Sequence, residues 1–135
     1  MADAVIFSDI MAHLTTRLTT ALATTAYSSA LVLVEAEDLT SEPLQVVLRQ
    51  DGGSRTSKTV KSSVVSVNIF APTFADAEGL SLLVEALFDD LADGNPIVLV
   101  TAQSSVQDVT DMKSQRRFMR FAVDHRGTNL SNFGN

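Results

Sequence analysis

The sequence predicts an α+β domain: a single mixed, mainly antiparallel sheet of about five strands with two helices packed on it. Three observations lead there. Residues 3–23 and 74–91 each repeat apolar side chains at helical spacing along one face only. Five short runs, at 31–35, 44–50, 64–70, 97–100 and 116–126, read as strands, most by alternation of apolar and polar residues. The length, 135 residues, is that of one domain, with no internal repeat, heptad array or low-complexity tract. The domain is expected over 1–128, with 129–135 as a mobile polar tail.

In the first helix Ile6, Ile10, Leu14, Leu18 and Leu22 recur every four residues, widened by Phe7, Met11 and Ala21. Asp3 is placed to favour its N-terminus. Threonines weaken its last turn, and Tyr27-Ser28-Ser29 ends it. Residues 31–35 are short, branched and apolar, hence a strand. Residues 37–43 are acidic with a proline, hence a loop. Leu44, Val46 and Leu48 alternate with Gln45 and Arg49. Val65, Val67 and Ile69 alternate with Ser66 and Asn68. Between these strands a Gly52-Gly53 turn opens a polar, basic loop over 54–62, too long for a two-residue hairpin. A loop of that length is expected to be mobile and to serve function.

The second helix starts at an N-cap, Thr73, with Asp76 completing an imperfect capping box. Phe74, Ala77, Leu80, Leu83, Val84, Leu87, Phe88 and Leu91 form its apolar side, and Asp93-Gly94-Asn95-Pro96 stops it. Residues 97–100 are continuously apolar, as in a strand covered on both faces or near a partner. Strand, helix and strand in close succession predict a right-handed crossover joining two parallel strands. Residues 103–115 are polar and read as a second long loop. Met119, Phe121 and Val123 then alternate with Arg120, Ala122 and Asp124 in the last strand. Such a sheet has open edges that a protein must either protect or use.

Composition excludes several classes. No apolar run approaches a membrane span. The start Met1-Ala2-Asp3 lacks the basic region of a secretory signal. Without cysteine there is no disulfide framework, thiolate chemistry or cysteine-based zinc site. A net charge of −6 argues against a dedicated nucleic-acid binder. The charges are nevertheless segregated. Arg49, Arg55, Lys58 and Lys61 surround the first loop; Lys113, Arg116, Arg117, Arg120 and Arg126 lie towards the C-terminus; acids collect at 35–42 and 76–93. A solvated surface explains this segregation, and so does a surface that meets a copy of itself.

No set of residues is fit for chemistry. His13 lies beside the first helix's apolar stripe, and His125 follows Asp124 on a strand, where neighbours point to opposite faces and cannot form the usual orienting bond. Asp89, Asp90 and Asp93 lack the spacing of a calcium loop. Acids at a helix C-terminus oppose the dipole, which admits a binding role, but a solvated face is the simpler reading. Gly52-Gly53-Ser54 lacks the Lys-Ser/Thr pair and the helix of a phosphate loop. Arg55, Lys58 and Lys61 have no aromatic residues between them for stacking on single strands. No catalytic residue, cofactor or metal is expected.

The order of these features carries a resemblance. An N-terminal helix is followed by a strand ending at Arg49, a Gly-Gly polar loop, and a strand ending Ile69-Phe70-Ala71. The helix Ala75-Asp76-Ala77-Glu78-Gly79-Leu80 through Leu83-Val84-Glu85-Ala86-Leu87 comes next. A strand, a loop with Asp108, and Arg116-Arg117-Phe118 leading to Arg126-Gly127 complete the series. This resembles the tail terminator proteins of long-tailed, non-contractile bacteriophages, the lambda-type family, over about residues 5–128. The resemblance implies a structural virion protein without enzymatic activity or cofactor. Such a protein forms a homo-hexameric ring at the head-proximal end of the tail tube, stops tube polymerisation and presents the surface that joins tail to head. Its implied partners are further copies of itself, the tail-tube protein and the head-tail connector protein. DNA passes through the lumen without sequence-specific binding. The implied location is the virion tail, and the host cytoplasm during assembly. On this reading Arg49, Arg55, Lys58 and Lys61 contact the tube or an adjacent subunit, and Arg116, Arg117 and Arg120 pair with Asp89, Asp90 or Asp93 of the next copy. Another connector, stopper or tube protein of the same virion is the nearest alternative, and a small oligomeric binding module the next.

Overall fold

The computed structural model describes residues 5–7, 9–34, 44–57, 59–94, 96–110 and 115–129, with backbone alone at 5, 6, 104–110, 115, 128 and 129. Along the chain run β1 (Val5–Ile6), α1 (Ile10–Leu22), β2 (Leu31–Val34), β3 (Gln45–Arg55), β4 (Val60–Ala71), α2 (Phe74–Asp89), β5 (Ile97–Thr110), β6 (Gln115–Arg126) and β7 (Thr128–Asn129). The main sheet has five strands in the order β2-β3-β4-β6-β5. Only β2 and β3 are parallel; every other pairing in it is antiparallel. The fold is the α+β arrangement expected, a mixed, mainly antiparallel sheet carrying two helices.

Side chains alternate across a strand, and one parity meets the helices. Val46 and Leu48 of β3, Val65, Val67 and Ile69 of β4, and Met119, Phe121 and Val123 of β6 form a buried cluster. Leu14, Leu18 and Leu22 of α1 and Leu80, Val84 and Phe88 of α2 join it. Phe88 and Phe121 stack at its centre, with ring centroids 4.3 Å apart and planes 3° from parallel. Both helices therefore lie on one face. α2 starts as expected: the Thr73 hydroxyl accepts the backbone N–H of Asp76 at 3.2 Å.

The N-terminus differs from the expectation. α1 begins at Ile10, because Asp9 takes an extended conformation and its carboxylate accepts the backbone N–H of Met11 and Ala12 at 3.0 and 3.2 Å. Residues 5–6, expected within the first helix, are the strand β1, paired antiparallel with β7. Asp3 and residues 130–135 lie outside the described residues, whereas Asn129, assigned to the tail, is paired in β7.

Both expected long loops are largely strand. β3 continues through Gly52 and Gly53 to Arg55, and β4 begins at Val60, so the connection shrinks to residues 56–59. The glycines make a bulge, not a turn: register shifts between Gln50 and Gly52, leaving Asp51 as the extra residue. Gly52 has φ +125°, and a Cβ on Gly53 would collide with the Ser62 backbone carbonyl. Residues 103–110 likewise belong to β5, which reaches Thr110 through three register shifts against β6. An edge strand draws its order from backbone bonds to one neighbour and needs no apolar alternation, so its polar half resembled a loop. The strand–helix–strand expectation holds in direction: β4 and β5 both oppose β6, so they run parallel, with β6 between them.

Candidate assembly surfaces

The basic residues, grouped by sequence, are regrouped by face. Cross-strand register aligns Arg49 of β3, Ser66 of β4 and Arg120 of β6, all on the face away from the helices. Asp51, the bulge residue, gathers them. Its carboxylate accepts Ser66 Oγ, lies 3.1 Å from an Arg120 guanidinium nitrogen and 3.3 Å from Arg49 Nε. Arg49 remains exposed. Along the same face Arg116 donates twice to Asn68 Oδ1, at 3.1 and 2.7 Å, and lies over the Phe70 ring. Arg120 lies over Phe118. These arginines are held flat against the sheet by partners within the chain.

Arg117 has the opposite parity and lies 4.7 Å from the ring centroid of Phe74, the first residue of α2. Phe74 is 54% exposed and Leu82, two turns on, 55%. Asp89, Asp90 and Asp93 sit exposed at the other end of α2, and Arg17 of α1 binds Asp93 at 2.9 Å. A helix of 16 residues spans about 24 Å, so this end of the basic group and the acids are well separated within one protomer.

Arg55 and Lys61 are register partners at the far end of the β3–β4 hairpin. Lys58 and the acidic residues 35–42 lie outside the described residues. β2 and β5 are the outer strands of the main sheet. β3 pairs with β2 only through Leu48, so from Arg49 onward that edge has no strand beside it among the described residues.

A buried polar cluster lies towards the far end of this hairpin. Ser63 Oγ and His125 Nε2 are 3.1 Å apart, and Gln50 Nε2 donates to Ser63 Oγ at 3.3 Å. The Phe7 ring meets His125 edge-on at a 5.7 Å centroid distance, and the Arg55 guanidinium lies 4.9 Å from the Phe7 ring centroid. His125 Nδ1 and His13 Nε2 are buried with no hydrogen-bond partner among the described residues. Burial lowers the His125 pKa, Lys61 lowers it further, Asp124 opposes this and His13 adds to it. For His13 burial again leads, Arg17 acts in the same direction and Asp93 opposes. Sequence spacing did not reveal Ser63 beside His125. The pair is a hydroxyl next to a base, but both residues are buried and nothing orients Nδ1, so the arrangement is not an accessible nucleophile. Asp124 points to the other face, as the strand parity requires.

Among the described residues no three acidic or histidine side chains converge as a metal site, and no helix is long and apolar enough to cross a membrane. No protein-family model matches the sequence, and no curated protein matches it.

Proposed function

We propose that the protein is a ring-forming joint of a phage virion, a tail terminator that caps the head-proximal end of the tail tube and offers the surface to which the head connector binds. The observation that carries this reading is the separation of charge along α2. Arg117 lies largely buried over Phe74 where β6 begins, with Arg116 beside it in sequence on the other face of the sheet, and Asp89, Asp90 and Asp93 lie at the opposite end of α2. A ring built head-to-tail needs two different, complementary surfaces on each copy. Like-with-unlike ends satisfy that need, and a closed ring of six uses both on every subunit. The exposed β3 edge and the outer strands β2 and β5 add backbone groups that a neighbour can pair.

The test is assembly. Purified protein is measured by light-scattering mass across concentration, alone and with isolated tail tubes, and imaged by electron microscopy. Rings seated at one tube end, with no further tube growth, are expected. Extension of the tubes would identify a tube protein instead, and a compact dimer indifferent to tubes would identify a binding module. The double variant Asp89→Lys, Asp90→Lys should fail to close rings; rings of unchanged size would exclude the α2 acids from the interface.

A further inference from the structure

Five elements meet around His125. The chain enters through β1, which pairs with β7, the short strand that follows β6. Phe7 then packs edge-on against the His125 ring while Arg55, the last residue of β3, covers the Phe7 ring. Two residues later Asp9 starts α1, and the first turn of α1 presents His13. From β4 come Ser63, which engages His125 Nε2, and Lys61, the register partner of His125. The N-terminal strand is thus tied to the far end of the hairpin and to β6 through one phenylalanine lodged between a guanidinium and an imidazole.

We propose that Phe7, His13 and His125 form a proton-operated catch: with both imidazoles neutral the N-terminal segment is held against β6 and the far end of the hairpin, and proton uptake by the pair releases it. The groups facing the pair decide the direction. A proton added to His125 meets Lys61 from β4, Arg55 from β3 across Phe7, and His13 from α1, against Asp124 alone on β6. A proton added to His13 meets Arg17 on its own helix, with Asp93, itself bound by Arg17, as the opposing charge. Imidazolium needs both ring nitrogens to donate. Among the described residues His125 has a partner at Nε2, and its Nδ1 is buried without one. A buried N–H left unsatisfied beside cations is relieved most cheaply by moving the piece with the least packing. That piece is the two-residue strand β1 with Phe7, since His125 is held in the twelve-pair ladder of β6 with β4. This catch does not depend on the assembly reading.

The experiment compares the wild-type chain at about pH 7.5 and about pH 5 by hydrogen exchange, corrected for intrinsic rates, with the histidine ring signals followed by NMR. Residues 5–7 and 128–129 should lose about tenfold or more of their protection on acidification, while residues 65–70 keep theirs. The double variant His13→Gln, His125→Gln should remove the difference between the two conditions. Equal protection of the N-terminal strand at both pH values, or a loss that persists in a folded double variant, would overturn the proposal. If the double variant does not fold, the wild-type titration decides. Signals of Phe7 must then change with the same midpoint as a histidine, and a Phe7 environment constant through the histidine titration would refute the catch.

Discussion

Ser63 and His125 stand 62 residues apart in sequence and touch at 3.1 Å inside the fold. Gln50 completes the chain of contacts from β3. The pair fixes the lateral position of β4 against β6 at the level where the hairpin leaves the helix-covered core. Ser63→Ala leaves a buried imidazole nitrogen and the Gln50 amide without their shared partner. It should lower unfolding free energy by about 1–3 kcal/mol, read as a reduced urea midpoint with unchanged slope.

Acid should destabilise the chain in a defined window. Both histidines have pKa values lowered in the fold from the ordinary value of 6.5. As pH falls through that value the unfolded chain takes up protons first, so stability present above it declines until the lowered folded values are passed. Urea midpoints recorded along a pH series should drop in this range, and the drop should shrink in His125→Gln.

Gly53→Ala should unzip the outer hairpin. The new Cβ would press on the Ser62 backbone carbonyl, which cannot turn aside without breaking the pairing of β3 with β4. A cost of about 2 kcal/mol is expected. Exchange protection should fall at 53–55 and 60–62 and persist at 65–70.

The basic residues of the hairpin should matter to assembly more than to folding. Arg49 makes an exposed ion pair with Asp51, and such pairs contribute about 0–1 kcal/mol. Replacing Arg49, Arg55, Lys58 and Lys61 together with alanine should leave the circular dichroism spectrum of the folded chain in place. Tail length or head joining should be disturbed. Tails of normal length that accept heads, seen by electron microscopy, would contradict the assignment of these residues to a contact.

α2 was legible because its signals are local, a hydroxyl at Thr73 and an apolar period from Ala77 to Phe88; its end was read late, at Asp93-Gly94-Asn95-Pro96, whereas the helix stops after Asp89. The central strands were legible from Val46 and Leu48 and from Val65, Val67 and Ile69, whose parity matches their burial. The start of α1 was misread because Ile6 fits the four-residue period by chance, while the decisive act, Asp9 binding two amides, leaves no trace in periodicity. The second half of β5 was missed because β6, not its own side chains, makes it a strand. The candidate surfaces were half visible. Arg116 and Arg120 share a parity that any strand reading supplies. Bringing Arg49 to the same acid requires the cross-strand register and the bulge at Asp51. His125 was weighed only against its neighbour Asp124, and its true contact came from another strand.

The place of β6 between β4 and β5 sets a timetable for synthesis. As the ribosome delivers the chain, β4, α2 and β5 emerge with a gap one strand wide between the two parallel ribbons. β3, the long strand made earlier, is already paired along the other edge of β4. The nascent protein therefore holds two raw margins until its final stretch arrives, and a translation pause before residue 115 would leave it open to pairing with the wrong chain.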